Sequence, residues 1–361
     1  MPLASVYCRD TMSDLLVKDF DYHLPPELIA QTPLEDRSAS RLMVVDRDHG
    51  YVDDTLFANI GAWLREGDLL VVNDSRVIPA RLLGHKASGG LVEYLLLEQT
   101  STHTWRALVR PGRRLHIGAE VEFGNGLLRS HIVQRLPGGE REVEFHWDGD
   151  IPFLTLLDQL GKMPLPPYIH EPLADSERYQ TVYSHKVGSA AAPTAGLHFT
   201  DSLLAQLAQQ GILRASVTLH IGLGTFRPVK AEYVRDHAMH TEAFSLDEHA
   251  AEAINNAKRE HRRVIAVGTT SCRVLESIAD ENGFVRPTHA NTDIFITPGY
   301  AFRCLDGLIT NFHLPQSTLL MLVSALAGHS NMLACYQRAV DSHYRFFSFG
   351  DAMFIANHKG K

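Results

Sequence analysis

Apolar and polar positions change texture twice along this chain. The opening is mixed. Pro25 and Pro26 start a short helix over 24–31, and residues 41–52 form a hairpin pattern around His49-Gly50. Leu56, Ile60, Trp63 and Leu64 fall at helical spacing, and Gly67-Asp68 turns into an apolar strand at 69–72. Between 79 and 147 the pattern becomes purely strand-like, with runs at 79–85, 91–98, 105–109, 119–123, 127–135 and 141–147. Gly89-Gly90, Pro111-Gly112, Gly124-Asn125-Gly126 and Pro137-Gly138-Gly139 separate them. Closely spaced strands without a helix predict a small barrel or sandwich inserted into the first domain.

Mixed patterning returns at 151 with a helix to 160 and a proline-rich joint at 163–169. Strands are expected at 213–219, 263–267, 292–296 and 352–355. Helices are expected at 248–260, 272–280, 317–327 and 331–341, the first opened by a capping-box pattern of Ser245 and Glu248. The predicted organisation is a discontinuous α/β main domain, 12–74 and 150–361, interrupted by a β domain at 75–149. Residues 1–11 are expected to be either a disordered extension or a misassigned start ahead of Met12.

Composition narrows the class. The 361 residues are 45% hydrophobic and 21% charged, as in ordinary globular proteins. No apolar run approaches the ~18 residues of a membrane span, and residues 1–11 lack a secretory leader's apolar core. Cys8, Cys272, Cys304 and Cys335 lie far apart without a Cys-x-x-Cys pair, which argues against a disulfide framework or zinc knuckle. A reducing cytoplasm is expected. The net charge of −8 is unevenly spread. Arg76, Arg81, Lys86, Arg106, Arg110, Arg113 and Arg114 cluster over 75–119, whereas Glu140, Glu142, Glu144, Asp148, Asp150 and Asp158 follow. The basic cluster is either a polyanion-steering patch or a solvated face.

Candidate chemistry concentrates in loops of the main domain. Residues 188–200 read Gly-Ser-Ala-Ala-Ala-Pro-Thr-Ala-Gly-Leu-His-Phe-Thr. Small residues, Pro193 and Gly196 let a ligand approach the main chain, or else form a tight buried turn around His198. Gly222, Gly224 and Thr225 supply bare amides at a strand end, without the dinucleotide fingerprint. Gly268-Thr269-Thr270-Ser271 joins a strand to a helix, presenting amides and hydroxyls to an anion such as a carboxylate, or simply capping the helix. Asn311-Phe312-His313 ends a strand just before a helix, where ligands gather in open α/β sheets. His237 and His240 lie three apart but bring no third metal ligand, so no metal is predicted. Arg345 and Asp351 are a structural ion pair or part of the site.

In this order, these segments resemble the S-adenosylmethionine:tRNA ribosyltransferase-isomerase family of queuosine biosynthesis, over residue 12 to about 357. The resemblance rests on 67–73, 76–81, 163–169, 178–183, 191–199, 220–228, 268–271 with Arg273, 311–315 and 344–353. Ala190, Ile221 and Cys272 depart mildly from the family pattern, and none removes a polar group. The resemblance implies an α/β sandwich built on a mixed sheet, interrupted by a small antiparallel β-barrel. It also implies that S-adenosylmethionine is a cosubstrate donating its ribosyl group to 7-aminomethyl-7-deazaguanine at the tRNA wobble position. The product is epoxyqueuosine-tRNA, with adenine and methionine released.

On this reading His198 or Asp351 is the base, and His220 or His313 assists adenine departure, groups titrating near neutrality being required. Ala192, Pro193, Thr194, Gly196, Gly222, Gly224, Thr225, Thr269, Thr270 and Ser271 bind the cosubstrate. Arg76, Arg81, Arg110, Arg113, Arg114 and Arg345 hold the tRNA anticodon stem-loop, with a GUN anticodon, and a monomer is expected. The rival readings are an S-adenosylmethionine-dependent methyltransferase, whose early glycine-rich loop is missing, and a non-catalytic RNA-binding protein.

Overall fold

The structure, a computed structural model, describes residues 15–222 and 229–358. The extension at 1–11 lies outside the described residues, as do Gly224 and Thr225. In chain order the strands begin with β1 (Arg41–Asp46), β2 (Gly50–Leu56), β3 (Leu69–Asn73) and β4 (Ser75–Val77). Then come β5 (Arg81–His85), β6 (Leu91–Gln99), β7 (Thr104–Arg110), β8 (Glu120–Phe123), β9 (Leu128–Arg135) and β10 (Glu140–His146). Next are α1 (Phe153–Leu160), β11 (Gly161–Lys162), β12 (Lys186–Ser189), α2 (Asp201–Gln209), β13 (Leu213–Leu219), β14 (Glu242–Leu246) and α3 (Glu248–Arg259). The chain closes with β15 (Val264–Val267), α4 (Thr269–Ile278), β16 (Thr288–Thr292), β17 (Gly307–Asn311), α5 (Thr318–Ala327), α6 (His329–Asp341) and β18 (Ala352–Ala356).

A nine-stranded mixed sheet runs β16-β14-β13-β3-β15-β17-β18-β1-β2. Its centre is parallel: β13 beside β3, β3 beside β15 and β15 beside β17. β3 and β15 are continuous apolar runs because both sheet faces are covered. Leu69, Val71, Val264 and Ala266 join the core formed with α3 to α6. Leu70, Val72, Ile265 and Val267 join the opposite core, with α2 and the short helix Phe57–Ala62. At the N-terminal ends of the strands, Asp68 receives Arg263 Nε at 2.9 Å and Nη2 at 2.5 Å, locking β3 to β15. The other ends of all four parallel strands open into loops on one edge.

The six strand-like runs become β5 to β10, an antiparallel barrel in the order β5-β6-β7-β10-β9-β8 closed by pairing of β8 with β5. Alternation explains its dry interior: Leu82, Tyr94, Leu96, Trp105, Ala107, Val121, Phe123, Ile132, Val143 and Phe145 all point inward. Helix α1 follows the barrel in sequence and buries Phe153, Leu156 and Leu157 in the same core.

Some local expectations shift. The N-cap of α3 is Asp247, whose carboxylate accepts from Ala250 N at 2.8 Å; Ser245 is still within β14. The strand expected at 292–296 lies at 288–292, where it pairs with β14. The helix expected from 272 starts at Thr269, because Gly268 adopts φ 88°, a backbone turn open to glycine. Among the described residues no single helix is long and apolar enough to cross a membrane.

Candidate active site

The C-terminal ends of β3, β13, β15 and β17 converge on one sheet edge, the position at which open α/β sheets bind ligands. A cavity of about 330 Å³ opens there. It is walled by Ala192, Pro193 and Thr194 of the small-residue stretch, Thr269 and Thr270 at the start of α4, and Asn311 to His313 beyond β17. Tyr168 and Phe347 add aromatic surface, their ring centroids 4.5 Å apart. Six of the predicted positions therefore meet here: Ala192, Pro193, Thr194, Thr269, Thr270 and His313.

Each wall has a local cause. The first-turn amides of α4 lack intrahelical acceptors and carry the positive end of the helix dipole, favouring an anion. Asn73, at the end of β3, fixes the neighbouring hydroxyl. Its Oδ1 accepts from Ser75 N and Leu219 N, and its Nδ2 donates to Thr270 Oγ1 at 3.4 Å. The Thr270 hydroxyl proton is left to donate elsewhere.

Asn311 is the most informative residue. Its Nδ2 donates to Phe347 O at 2.9 Å and reaches His198 Nε2 at 3.4 Å. Its Oδ1 is buried without a hydrogen-bond partner among the described residues. An orphaned buried acceptor costs about 1–3 kcal/mol, and this one belongs to a residue that lines the cavity. Phe347 is held at φ 72°, a strained left-handed conformation for a bulky residue, with its carbonyl engaged by Asn311.

His198 stands behind this amide, away from the cavity wall. Ser40 Oγ donates to Arg37 O, so it accepts from His198 Nδ1–H at 2.7 Å, leaving Nε2 to accept from Asn311. The ring stacks on Phe57. Burial, with the charge of Arg345, pushes its pKa down to about 3. A protonated Nε2 would face the Asn311 donor, so the network itself needs the neutral ring. His313 is likewise pushed down to about 3 by burial. Its Nε2 lies 2.9 Å from Thr310 Oγ1, while Nδ1 has no partner among the described residues. Against the expectation that these histidines titrate near neutrality, burial pushes both well below it and favours the neutral rings.

Other predicted residues take different places. Asp351 is a staple outside the cavity, its carboxylate accepting Arg41 N at 2.8 Å and Arg345 N at 2.7 Å. Gly196 is needed for packing, since a Cβ there would lie 2.0 Å from the Tyr183 hydroxyl. Ser271 Oγ donates to Val267 O at the end of β15. His220 lies off the cavity against Gly188, its pKa lowered by burial. Arg76 is on β4, outside the barrel, paired with Glu177. Arg345 donates to Thr32 O. Arg81 faces Glu93 at 3.6 Å, and with Arg110 it lines a groove against Pro166 and Pro167. Arg110, Arg113 and Arg114 are exposed.

One pair escaped the sequence reading. Glu242 and Arg273 form a buried ion pair beside Gly222, whose N–H donates to Glu242 Oε1 at 3.0 Å. Burial opposes the charge on Glu242, but His240, Arg273 and Gly222 together hold its pKa low. Strand alternation was the available signal: Glu242 shares the inward face of β14 with Phe244 and Leu246.

The family model described as "Queuosine biosynthesis protein" matches residues 17–355. The chain belongs to this queuosine biosynthesis family. It is 54% identical to the S-adenosylmethionine:tRNA ribosyltransferase-isomerase of Caldanaerobacter subterraneus subsp. tengcongensis, over 93% of this chain and 98% of the relative. The protein of the same name from Clostridioides difficile is 55% identical, with 94% and 99% covered. A crystal structure of S-adenosylmethionine tRNA ribosyltransferase from Thermotoga maritima aligns with 36% identity and a TM-score of 0.53, covering 93% of this chain and 99% of that one. The α/β fold with its antiparallel barrel is therefore shared with the family.

Proposed function

We propose that this chain is an S-adenosylmethionine:tRNA ribosyltransferase-isomerase. It transfers and isomerises the ribosyl group of S-adenosylmethionine onto 7-aminomethyl-7-deazaguanine at the tRNA wobble position, releasing adenine and methionine. The observation that carries this reading at the level of the site is the 330 Å³ cavity, where an anion-binding helix start and the orphaned Asn311 Oδ1 share one wall system. The sulfonium of the donor supplies the acidity of the neighbouring C5′ protons and the leaving group.

The residues then divide the work. The α4 amides with the Thr269 and Thr270 hydroxyls take the methionyl carboxylate. Asn311 Oδ1 accepts from the adenine amino group, with the base lying against Ala192, Pro193 and the aromatic wall. His313 Nδ1 accepts a proton while Nε2–H stays on Thr310; its neutral form is the one a base needs, although burial also weakens it. The barrel, β5 to β10, is the RNA-facing domain, with exposed Arg110, Arg113 and Arg114 meeting anticodon-stem phosphates and the single-stranded wobble base swung into the cavity. A GUN anticodon, a monomeric enzyme and a cytoplasmic location complete the proposal.

The test is incubation of S-adenosylmethionine with tRNA that carries 7-aminomethyl-7-deazaguanine at the wobble position. Free adenine supports the reading. S-adenosylhomocysteine instead would make the protein a methyltransferase, and tRNA binding with neither product would make it a binding module. His313→Ala is expected to stop adenine release while leaving donor binding measurable by calorimetry.

A further inference from the structure

Far from the cavity in sequence, the outer wall of the barrel carries a second constellation. β9 and β10 pair antiparallel with His131 opposite Glu144 and Arg129 opposite His146. Inward alternation of Ile132, Val143 and Phe145 sends His131, Glu144 and His146 to the outer face. His146 Nε2 lies 3.2 Å from His131 Nδ1 and 3.7 Å from Glu144 Oε1, and Glu144 Oε2 lies 3.4 Å from His131 Nε2. One donor atom from each residue falls within 4.8 Å of the other two. Donors bound at about 2.1 Å around a tetrahedral ion sit roughly 3.4 Å apart, so His131 Nδ1 and His146 Nε2 already stand at ligand separation and the Glu144 carboxylate has a short distance to close.

The chemistry of the cluster is selective. Two imidazole nitrogens 3.2 Å apart repel through their lone pairs unless a proton or a cation lies between them. Glu120, opposite His131 on β8, adds another carboxylate to the same face. Two nitrogen donors and a carboxylate suit zinc, nickel or copper, whereas magnesium and calcium prefer all-oxygen sets. The rings are parallel, 5° apart in plane with centroids at 5.2 Å. Each must rotate to aim at a common ion, and their side chains, 37% and 55% exposed, have room to do so. The His237–His240 pair differs, because the nearby Glu242 is already engaged by Arg273 and Gly222.

We propose that His131, Glu144 and His146 form a divalent transition-metal site of the zinc class on the barrel exterior, with Glu120 or water completing the coordination. This is independent of the ribosyl-transfer reading. Binding would clamp β9 to β10 across the registered pair His131 and Glu144.

The experiment titrates Zn²⁺ into chelator-stripped full-length protein by calorimetry against a competing chelator, with Co²⁺ ligand-field absorption as a geometric readout. One site is expected, weakened about tenfold or more in His131→Ala/His146→Ala and in Glu144→Gln, but unchanged in His237→Ala/His240→Ala. These barrel side chains pack into no core, and an unchanged circular dichroism spectrum confirms that each variant folds. Equal Zn²⁺ affinity and stoichiometry in wild type and the His131→Ala/His146→Ala variant would overturn the site, as would wild-type protein that gives no Co²⁺ absorption.

Discussion

Inside the barrel, the strands bury Leu82, Tyr94, Leu96, Ala107, Phe123 and Phe145, and charge stays almost wholly on the outside; Arg141 is the exception, its guanidinium spread over four backbone carbonyls. At the cavity edge of the nine-stranded sheet the burial is of a different kind: Asn73, His198, Glu242, Thr270, Arg273, Asn311 and His313 are all withdrawn from water. Burying such groups is costly unless each finds a partner. Most do; Asn311 Oδ1, of a residue in the cavity wall, and Arg273 Nη2 have no partner among the described residues. The barrel is thus organised for stability by apolar area. The sheet edge instead gives up stability to hold donors and acceptors in fixed directions, which is how preorganised sites are made.

The largest effect that could break this contrast comes from Arg273→Met. It strands the Glu242 carboxylate in the interior, and a loss of about 3–5 kcal/mol is expected, measured by chemical denaturation. Adding Glu242→Gln should restore much of it. If the single and double variants unfold alike, the pair is not the buried charge network described. Next is Leu96→Ala in the barrel core, fully buried in the wild type, with an expected loss of about 2–5 kcal/mol. Its affinity for S-adenosylmethionine should stay unchanged by calorimetry. A parallel fall in affinity would mean that barrel packing and cavity geometry are coupled.

The same contrast explains what was legible in the sequence. Alternation is a local property, so β5 to β10 appeared within a residue or two of their ends, and the unbroken runs of β3 and β15 announced strands covered on both faces. Loops at strand ends were also legible, which is why Ala192 to Thr194, Thr269, Thr270 and His313 fell together. The rest depends on partners distant in the chain. His198 meets Asn311 across 113 residues and Asn73 meets Thr270 across 197, and no period encodes either meeting. Residue type alone made His198 and Asp351 look catalytic, whereas their partners make one a brace for an amide and the other a staple between β1 and the 345–351 loop. Arg76 was assigned to the basic barrel because its neighbours in sequence are there, but its strand pairs with β12.

A sharper probe of the cavity is Asn311→Leu, similar in volume but without the acceptor. Removing the lone acceptor for a donor N–H should weaken S-adenosylmethionine binding by about 1–3 kcal/mol, roughly 5- to 150-fold. Asn311→Asp keeps an acceptor oxygen but loses the donors to Phe347 O and His198, so it separates recognition from positioning. Unaltered affinity in Asn311→Leu would mean that the orphaned oxygen plays no part in binding.

The last effect is read as a slope against pH, and its sign follows from the buried histidines. In the unfolded chain His198 and His313 titrate near 6.5, but in the fold both are pushed down to about 3 by burial. Above pH 6.5 neither state takes up the proton, and their contribution to stability is fully present. Between about pH 6.5 and about pH 3 the unfolded chain binds protons that the folded chain refuses, so stability falls as pH falls, by up to ~1.4 kcal/mol per pH unit for each ring. His198→Gln removes one of these sites. The free energy of unfolding, followed by denaturant titration from about pH 6 to about pH 4, should therefore fall less steeply in His198→Gln than in the wild type, by close to one proton. Parallel slopes would show that His198 is protonated in the fold, and the brace it gives Asn311 through a neutral Nε2 would then have to be abandoned.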